Sequence, residues 1–352
     1  MLKRTPLYEA HVSLGAKVVP FAGWEMPVSY EGTIAEHTNV RERVGLFDVS
    51  HLGKLLVRGD DAAVFLDAQL SNKISDLQPG RARYTLILNE DAGIIDDLIV
   101  YAIAPGELLV VPNAANMDAV AGRIETAAPA GIEVSRPAWT TLAVQGPKAP
   151  GIVEDLYPAA KDLKYMHVAR DGDVVIARTG YTGERGFEVF TTAEAARAVW
   201  DDILERVRDA GGGPVGLAAR DTLRLEMGYP LHGNDIDPST RPDEAGLMWA
   251  VKLEGRSFPG ADVLRDATPA RALVGLRMQD RLIPRRGSAV FSGEDQVGEC
   301  TSGTFSPTLK VGVGMAYVSS EEAGQATLTI DVRGKRGTAD VVQPPFVDRS
   351  PR

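Results

Sequence analysis

The stretch Gly93-Ile-Ile-Asp-Asp-Leu-Ile-Val-Tyr101 decides how the middle of the chain folds. It follows the polar segment Asn89-Glu-Asp-Ala-Gly93 and is mostly apolar, which is typical of a strand that leaves a hairpin turn. Because side chains alternate along a strand, Asp97 shares a face with Tyr101, while Asp96 lies on the opposite face. A carboxylate among apolar residues is costly to bury unless it is paired or functional. The pattern therefore predicts a functional aspartate, or else one aspartate that satisfies backbone donors in the hairpin while the other faces water.

Strand-like and helix-like segments surround this hairpin and predict an α+β fold. Predicted strands cover residues 84–88, 94–103, 108–111, 140–144 and 174–178, and predicted helices cover residues 60–70, 191–209 and 217–227. Thr191 and Glu194 have the spacing of a capping box at the start of the second helix. Beyond residue 270, short apolar runs separated by turns predict a small all-β barrel or sandwich, with strands at residues 273–278, 289–291, 312–318, 326–332 and 337–342.

Length and composition restrict the class of protein. The 352 residues suggest two or three domains, at roughly 150 residues each. The net charge of −10 argues against nucleic acid as a partner, and no segment approaches the ~18 apolar residues of a membrane span. One cysteine, Cys300, excludes an internal disulfide and a cysteine-rich metal site, and the five histidines lack metal-ligand spacing. We therefore expect a cytoplasmic protein with no bound metal, no nucleic-acid partner and no membrane partner.

A glycine-rich turn, Arg178-Thr-Gly-Tyr-Thr-Gly-Glu-Arg-Gly-Phe-Glu188, is a second candidate site. Its glycines allow tight turns and the close approach of a ligand. The carboxylate of Glu188, at the end of the turn, is suited to accept paired N–H donors from a flat heterocycle. The alternative is a simple hairpin with one exposed glutamate.

A third candidate is the predicted helix in Ala219-Arg-Asp-Thr-Leu-Arg-Leu-Glu-Met-Gly-Tyr229. Arg220 and Arg224 lie one turn apart on the same face, and Asp221 is placed to pair with Arg224. A planar guanidinium suits carboxylates and the carbonyl groups of heterocycles. The alternative is a ladder of salt bridges on the protein surface.

Taken together, these motifs resemble those of one known family. Further matching stretches are Thr5-Pro-Leu-Tyr, Phe21-Ala-Gly-Trp-Glu-Met-Pro27, Gly45-Leu-Phe-Asp-Val-Ser-His51, Val144-Gln-Gly-Pro147 and Thr301-Ser-Gly-Thr-Phe-Ser-Pro-Thr-Leu309. In this order, and over nearly the whole chain, they resemble the glycine cleavage T-protein family.

The resemblance implies an α+β fold of three domains, arranged like a cloverleaf around a central folate channel. The first folate-binding domain would combine residues 1–50 and 138–245. A second, interleaved α+β domain would combine residues 51–137 and 246–275. Residues 276–352 would form a C-terminal β-barrel domain, in agreement with the turn spacing there.

The resemblance also implies a reaction, the aminomethyl transfer of the glycine cleavage system. An aminomethyl group on the lipoyl arm of the H protein would give its methylene carbon to tetrahydrofolate. The products would be 5,10-methylenetetrahydrofolate, ammonia and the dihydrolipoyl H protein. The implied partners are therefore the lipoylated H protein and tetrahydrofolate, which is the one-carbon acceptor.

Residue roles follow from the matched positions of the family motifs. The implied catalytic residue is Asp97, and Glu188 matches the residue that pairs with N–H groups of the pterin. The other implied folate-binding residues are Tyr84, Tyr101, Val111, Asn113, Tyr181, Arg220 and Tyr229. Arg349 and Arg352 are both candidates for a contact with the folate tail. We also expect a basic surface that includes Arg285, Arg286 and Lys310 to receive the H protein.

Two other functions are compatible with the same fold. A folate-dependent demethylase would act on a small methylated donor and would need no lipoyl partner. A folate-binding iron–sulfur assembly factor would lack transferase chemistry, but that branch carries a Lys-Gly-Cys-type motif. Here the only cysteine lies in Glu299-Cys-Thr-Ser, so the sequence favours the transferase.

Overall fold

The computed structural model describes residues 1–352 and contains twenty strands. In chain order these are β1 (Lys3–Arg4), β2 (Lys17–Phe21), β3 (Trp24–Ser29), β4 (Gly45–Asp48), β5 (Leu55–Arg58), β6 (Arg81–Leu88), β7 (Ile94–Ala104), β8 (Glu107–Val111), β9 (Glu133–Ser135), β10 (Trp139–Gln145), β11 (Val168–Asp171), β12 (Val174–Ala177), β13 (Gly186–Thr192), β14 (Gly213–Pro214), β15 (Arg271–Met278), β16 (Ala289–Ser292), β17 (Asp295–Ser306), β18 (Val311–Ser319), β19 (Thr327–Val332) and β20 (Lys335–Val342).

Eight α-helices complete the regular structure. They are α1 (Tyr8–Ser13), α2 (Thr33–Glu42), α3 (Ala62–Asp67), α4 (Met117–Ala127), α5 (Ala149–Leu156), α6 (Ala196–Asp209), α7 (Leu217–Glu226) and α8 (Ala261–Arg265). Short 3₁₀ helices lie at Ala114–Asn116, Pro158–Ala160, Met248–Ala250 and Glu322–Gly324. No helix is both long enough and apolar enough to cross a membrane.

A six-stranded mixed sheet has the order β11-β12-β13-β10-β4-β14. It packs against α6, whose apolar stripe places Trp200, Ile203 and Val207 at 0 % exposure in one hydrophobic core. A smaller sheet with the order β1-β3-β2 is built from the first thirty residues.

A five-stranded sheet has the order β6-β7-β8-β5-β9 and contains the predicted hairpin. Along β7, Asp96, Leu98 and Val100 are buried on one face, while Asp97 and Ile99 are half-buried on the other. Tyr101 follows the second face and packs in a core cluster with Phe190. The predicted alternation of side chains along this strand is confirmed.

The C-terminal segment forms a closed barrel with the strand order β15-β18-β17-β16-β19-β20. This confirms the predicted all-β domain, but β17, one of its longest strands, was not predicted. Its buried positions carry the small polar or weakly polar side chains of Cys300, Ser302, Thr304 and Ser306, so it lacks the apolar alternation that marks a half-buried strand.

The predicted capping box of the helix at residues 191–209 is wrong. Thr191 lies in β13, opposite Thr140 of β10, and the helix begins only at Ala196. Ala195 occupies the N-cap position, and no side chain caps the helix there. The pairing of β13 with the sheet buries Thr191 to 2 % exposure, and this tertiary contact overrides the local capping signal.

The contacts divide the chain into two compact units. The first unit comprises residues 1–87, 96–220 and 350–352, and the second comprises residues 88–95 and 221–349. The α+β class and the C-terminal barrel are confirmed, and the three-domain boundaries stay a prediction.

Candidate functional site

Asp96 and Asp97 are both held by the segment that follows β8. Asp96 is fully buried and accepts hydrogen bonds from the backbone amide of Asn113 at 2.9 Å, from its side-chain Nδ2 at 2.8 Å and from Asn116 Nδ2 at 2.7 Å. The same Asn113 amide donates to Asp97 Oδ1 at 2.9 Å, and the hydroxyl of Tyr84 donates to Asp97 Oδ2 at 3.1 Å. Asn113 therefore bridges the two carboxyl groups and fixes the direction of each.

Burial keeps two groups around Asp97 in their neutral forms, the carboxyl group of Asp96 and the hydroxyl of Tyr84. Burial, and next the nearby charge of Asp97, raise the pKa of Asp96 to about 8, although the amide donors act in the opposite sense. Burial, together with the Asp97 charge, also raises the pKa of the Tyr84 hydroxyl well above 10, so Tyr84 remains a donor at neutral pH. Below about pH 8 Asp96 is therefore neutral, and it does not compete with the half-buried Asp97 as a charged group.

Glu188 lies on β13, where two hydroxyl groups orient its carboxylate. Tyr101 donates to Oε2 at 2.8 Å, and Thr179 donates to the same oxygen at 2.5 Å. Burial raises the pKa of Tyr101 well above 10, so this donor also keeps its proton. Because both hydrogen bonds end on Oε2, Oε1 is left for a ligand.

The Glu188 side chain lines a small pocket within the first unit. The pocket is lined by Phe47, Val49, Ala143, Gln145, Tyr181, Thr182, Glu188 and Arg220. The guanidinium of Arg220 stacks on the ring of Tyr181, with 4.4 Å between its Cζ and the ring centroid. A carboxylate acceptor, a guanidinium donor and an aromatic face thus surround one cavity, as the binding of a flat polar heterocycle requires.

The remaining predicted residues lie in two different places. Val111 ends β8, where it pairs with Ile99 of β7 and packs against the cluster around Tyr101. Tyr229 lies in the second unit, where its amide donates to the carbonyl of Arg224 at 3.0 Å.

The predicted pairing of Asp221 with Arg224 is confirmed, at 2.8 Å. The alternative of a surface salt-bridge ladder is wrong for Arg224, which is 1 % exposed. Its guanidinium also donates to Asp235 at 2.8 Å and to Ser302, so it joins the end of α7 to the barrel strand β17. A helix-surface pattern in the sequence does not reveal these distant partners.

The sequence did not single out a buried network after β4. Asp48 accepts hydrogen bonds from Thr5 Oγ1 at 2.7 Å and from the amide and hydroxyl of Ser50, and His11 Nε2 lies 2.9 Å from its Oδ2. Burial raises the pKa of Asp48, but the hydrogen bonds and charge of His11 and the Ser50 and Thr5 donors outweigh it and lower the pKa to about 2. The only signal in the sequence was the matching stretch that ends at His51.

Comparison with known proteins identifies the family. A model described as the GCVT N-terminal domain matches residues 7–255, and one described as the glycine cleavage T-protein C-terminal barrel domain matches residues 271–348. The chain belongs to the glycine cleavage T-protein family. The family and the C-terminal barrel expected from the sequence are confirmed.

Relatives of the T-protein family match over almost the full length. An aminomethyltransferase of Mycobacterium avium (strain 104) is 47% identical over 97% of this chain and 96% of its own. An aminomethyltransferase of Frankia alni is 46% identical over 100% of this chain and 99% of its own length. The crystal structure of glycine cleavage system aminomethyltransferase T from Bartonella henselae has a TM-score of 0.93 at 39% identity and covers 99% of both chains. The chain is therefore an enzyme, a transferase of the aminomethyltransferase class.

Proposed function

We propose that this enzyme transfers the methylene carbon of an aminomethyl group, carried on the lipoyl arm of an H protein, to tetrahydrofolate. The products would be 5,10-methylenetetrahydrofolate, ammonia and the dihydrolipoyl H protein. The family membership supports this reaction, and so does the fit of the first unit to a reduced pterin. Bound tetrahydrofolate would supply the nitrogen atoms that receive the carbon.

The pocket residues are suited to hold the pterin. Oε1 of Glu188 can accept N–H donors from one edge of the heterocycle, while Tyr101 and Thr179 keep Oε2 in place. Arg220, which stacks on the ring of Tyr181, can donate to a ring carbonyl of the pterin. The assignments of Val111 and Tyr229 to folate binding stay predictions.

Asp97 carries the proposed chemistry. Its carboxylate is half-buried, and hydrogen bonds from Asn113 to Oδ1 and from Tyr84 to Oδ2 fix its direction. With Asp96 neutral beside it, Asp97 would orient a folate nitrogen and take up its proton while that nitrogen attacks the methylene carbon. The observation that carries this proposal is the pairing, on adjacent positions of β7, of a buried carboxyl group whose pKa is raised to about 8 with a half-buried one.

The test compares the wild type with Asp97→Asn. Ammonia and methylenetetrahydrofolate are measured with aminomethyl-loaded H protein, and tetrahydrofolate binding is measured by calorimetry. We expect Asp97→Asn to bind folate but to lose about 100-fold or more in kcat. The exposed Asp91 of the same hairpin provides the matched control, because Asp91→Asn should leave both quantities unchanged.

Two results would contradict parts of the proposal. Full activity of Asp97→Asn would exclude Asp97 as the proton acceptor. If the wild type binds tetrahydrofolate but does not react with loaded H protein, the donor is wrong, and methylated small molecules are the next substrates to test.

A further inference from the structure

His51 is a buried histidine whose ring nitrogen Nδ1 has no hydrogen-bond partner. The residue is 3 % exposed, and its aromatic neighbour is Phe21, whose ring meets it edge-on at 5.6 Å between centroids. A buried polar atom without a partner costs about 1–3 kcal/mol, so native proteins rarely retain one without a reason. An unsatisfied buried atom close to a binding pocket gains a partner when a bound ligand reaches it.

Two buried charges hold the turn that presents His51. The carboxylate of Asp48 accepts hydrogen bonds from the backbone amide and the hydroxyl of Ser50. The ammonium of Lys54 donates to the carbonyl of Ser50 at 2.8 Å and to the carbonyl of Leu52 at 2.9 Å, so it binds the residues on both sides of His51. Burying two charged groups around one short turn is costly, and the result is a histidine with a fixed backbone position.

The turn is also joined to the surroundings of Asp97. The amide of Gly53 donates to the carbonyl of Pro112 at 2.9 Å, directly before the Asn113 that holds Asp97. A Cβ atom on Gly53 would lie 2.4 Å from Met117 Sδ, so this close approach needs a glycine. A shift of the turn would therefore disturb the segment that orients Asp97.

The other side of the turn reaches the Glu188 pocket. Val49 lines the pocket directly, and Arg220, another lining residue, is the largest charge effect on the pKa of His51. The turn that carries His51 thus adjoins the pocket at Val49 and the segment that orients Asp97 at Gly53.

We propose that His51 is a further binding residue of this site and that its ring hydrogen-bonds the reduced pterin of bound tetrahydrofolate. This inference rests on the proposed function and names one more contact of the same site.

The local electrostatics favour a neutral ligand group over a cation. Burial, and next the charge of Arg220, lower the pKa of His51 to about 3, with Asp48 opposing and Lys54 adding to the effect. The ring is therefore neutral at physiological pH and offers one donor and one acceptor, but it is no carrier of protons. The guanidinium of Arg220 would repel the protonated amine of an aminomethyl arm, whereas it tolerates a neutral heterocycle.

The experiment measures tetrahydrofolate binding and the ring signals of His51 on the full chain. We compare the wild type with His51→Leu, which fills the space without polar atoms, and with His51→Asn, which keeps a polar group near Nδ1. His167→Asn is the control, because both His167 nitrogens already have partners, in Arg81 and in the carbonyl of Tyr165. Calorimetry gives the Kd, and ¹⁵N NMR of the imidazole rings shows whether a hydrogen bond to His51 forms.

We expect His51→Leu to raise the Kd for tetrahydrofolate about 5- to 10-fold, His51→Asn to restore most of the affinity, and His167→Asn to match the wild type. The His51 ring nitrogens should shift when folate is added. If folate binds to the wild type while these signals stay unchanged, or if His51→Leu binds as tightly as the wild type, the inference is wrong and the proposed function stands. If the wild type does not bind folate at all, both are wrong.

Discussion

Replacing Glu188 by glutamine tests the pterin assignment because the two hydroxyl groups beside it favour one orientation of the new amide. Tyr101 and Thr179 both donate a hydroxyl hydrogen to Oε2 of Glu188. If both hydroxyl groups keep donating as they do in the wild type, the glutamine must place its oxygen at the Oε2 position and its NH₂ group at the position of Oε1. The variant would then present a donor to the N–H edge of the pterin, where the wild type presents an acceptor.

The magnitude follows from the bonds that are lost. A hydrogen bond to a charged group contributes about 1.5–3 kcal/mol, and a donor facing a donor leaves a buried group unpaired. We therefore expect Glu188→Gln to weaken tetrahydrofolate binding by about 2–3 kcal/mol, which is about a 30- to 150-fold rise in Kd. Calorimetry with the folded variant measures this change directly.

A second variant separates amide orientation from lost charge. In Glu188→Gln combined with Thr179→Val, one of the two orienting donors is absent, so the amide can turn more easily and part of the affinity should return. Thr179→Val alone should weaken binding only slightly, because Tyr101 still holds Oε2. A Kd of Glu188→Gln within about 3-fold of the wild type would refute the reasoning, because such a difference lies well below one charge-assisted hydrogen bond.

Three further predictions concern other parts of the structure. Asn113→Leu removes the amide that bridges Asp96 and Asp97 and should lower kcat/KM about 10- to 150-fold in the H-protein assay. Burial lowers the pKa of Lys54 to about 7, so between pH 7 and 10.5 the unfolded chain binds more protons than the folded protein. In urea unfolding, the stability of the wild type should therefore rise with pH by at most about 1.4 kcal/mol per pH unit relative to Lys54→Met. Equal slopes for the two proteins would contradict this prediction. Gly93→Ala would place a Cβ atom 1.8 Å from the carbonyl oxygen of Pro238 and should cost about 3 kcal/mol in urea unfolding, whereas Gly122→Ala, whose Cβ meets nothing, should not show this penalty.

The sequence predicted strand β7 well because its chemistry is local. Alternation along the strand separates Asp96 from Asp97, and the structure places them on opposite faces with the expected difference in burial. What the pattern could not supply is Asn113, which lies sixteen residues after Asp97 and reaches both carboxyl groups only because β7 and β8 pair. A partner of this kind depends on the register of the sheet, and no period in the sequence encodes it.

Arg224 and Thr191 show the opposite failure, in which a valid local signal is overridden. The spacing of Arg224 on its helix is compatible with a surface ladder, yet Asp235 and Ser302 give it buried partners from distant segments. Thr191 has good capping spacing, yet the pairing of β13 with β10 uses it as a strand residue. In both cases tertiary contacts contribute more than the local preference, which is worth only about 1 kcal/mol for a cap.

The partners of the buried carboxyl groups separate structural residues from candidates for chemistry. Glu184 pairs with Arg41, and Asp235 pairs with Arg224, at 3.0 and 2.8 Å, so their charges are already balanced within the protein. Glu188 is held by hydroxyl groups alone, which orient a carboxylate without cancelling its charge. A carboxylate prepared in this way attracts the N–H donors of a ligand, whereas one that is paired with a guanidinium has little attraction left to offer. The same distinction explains why the neutral, unpartnered His51 belongs with Glu188 and not with the ion pairs of the core.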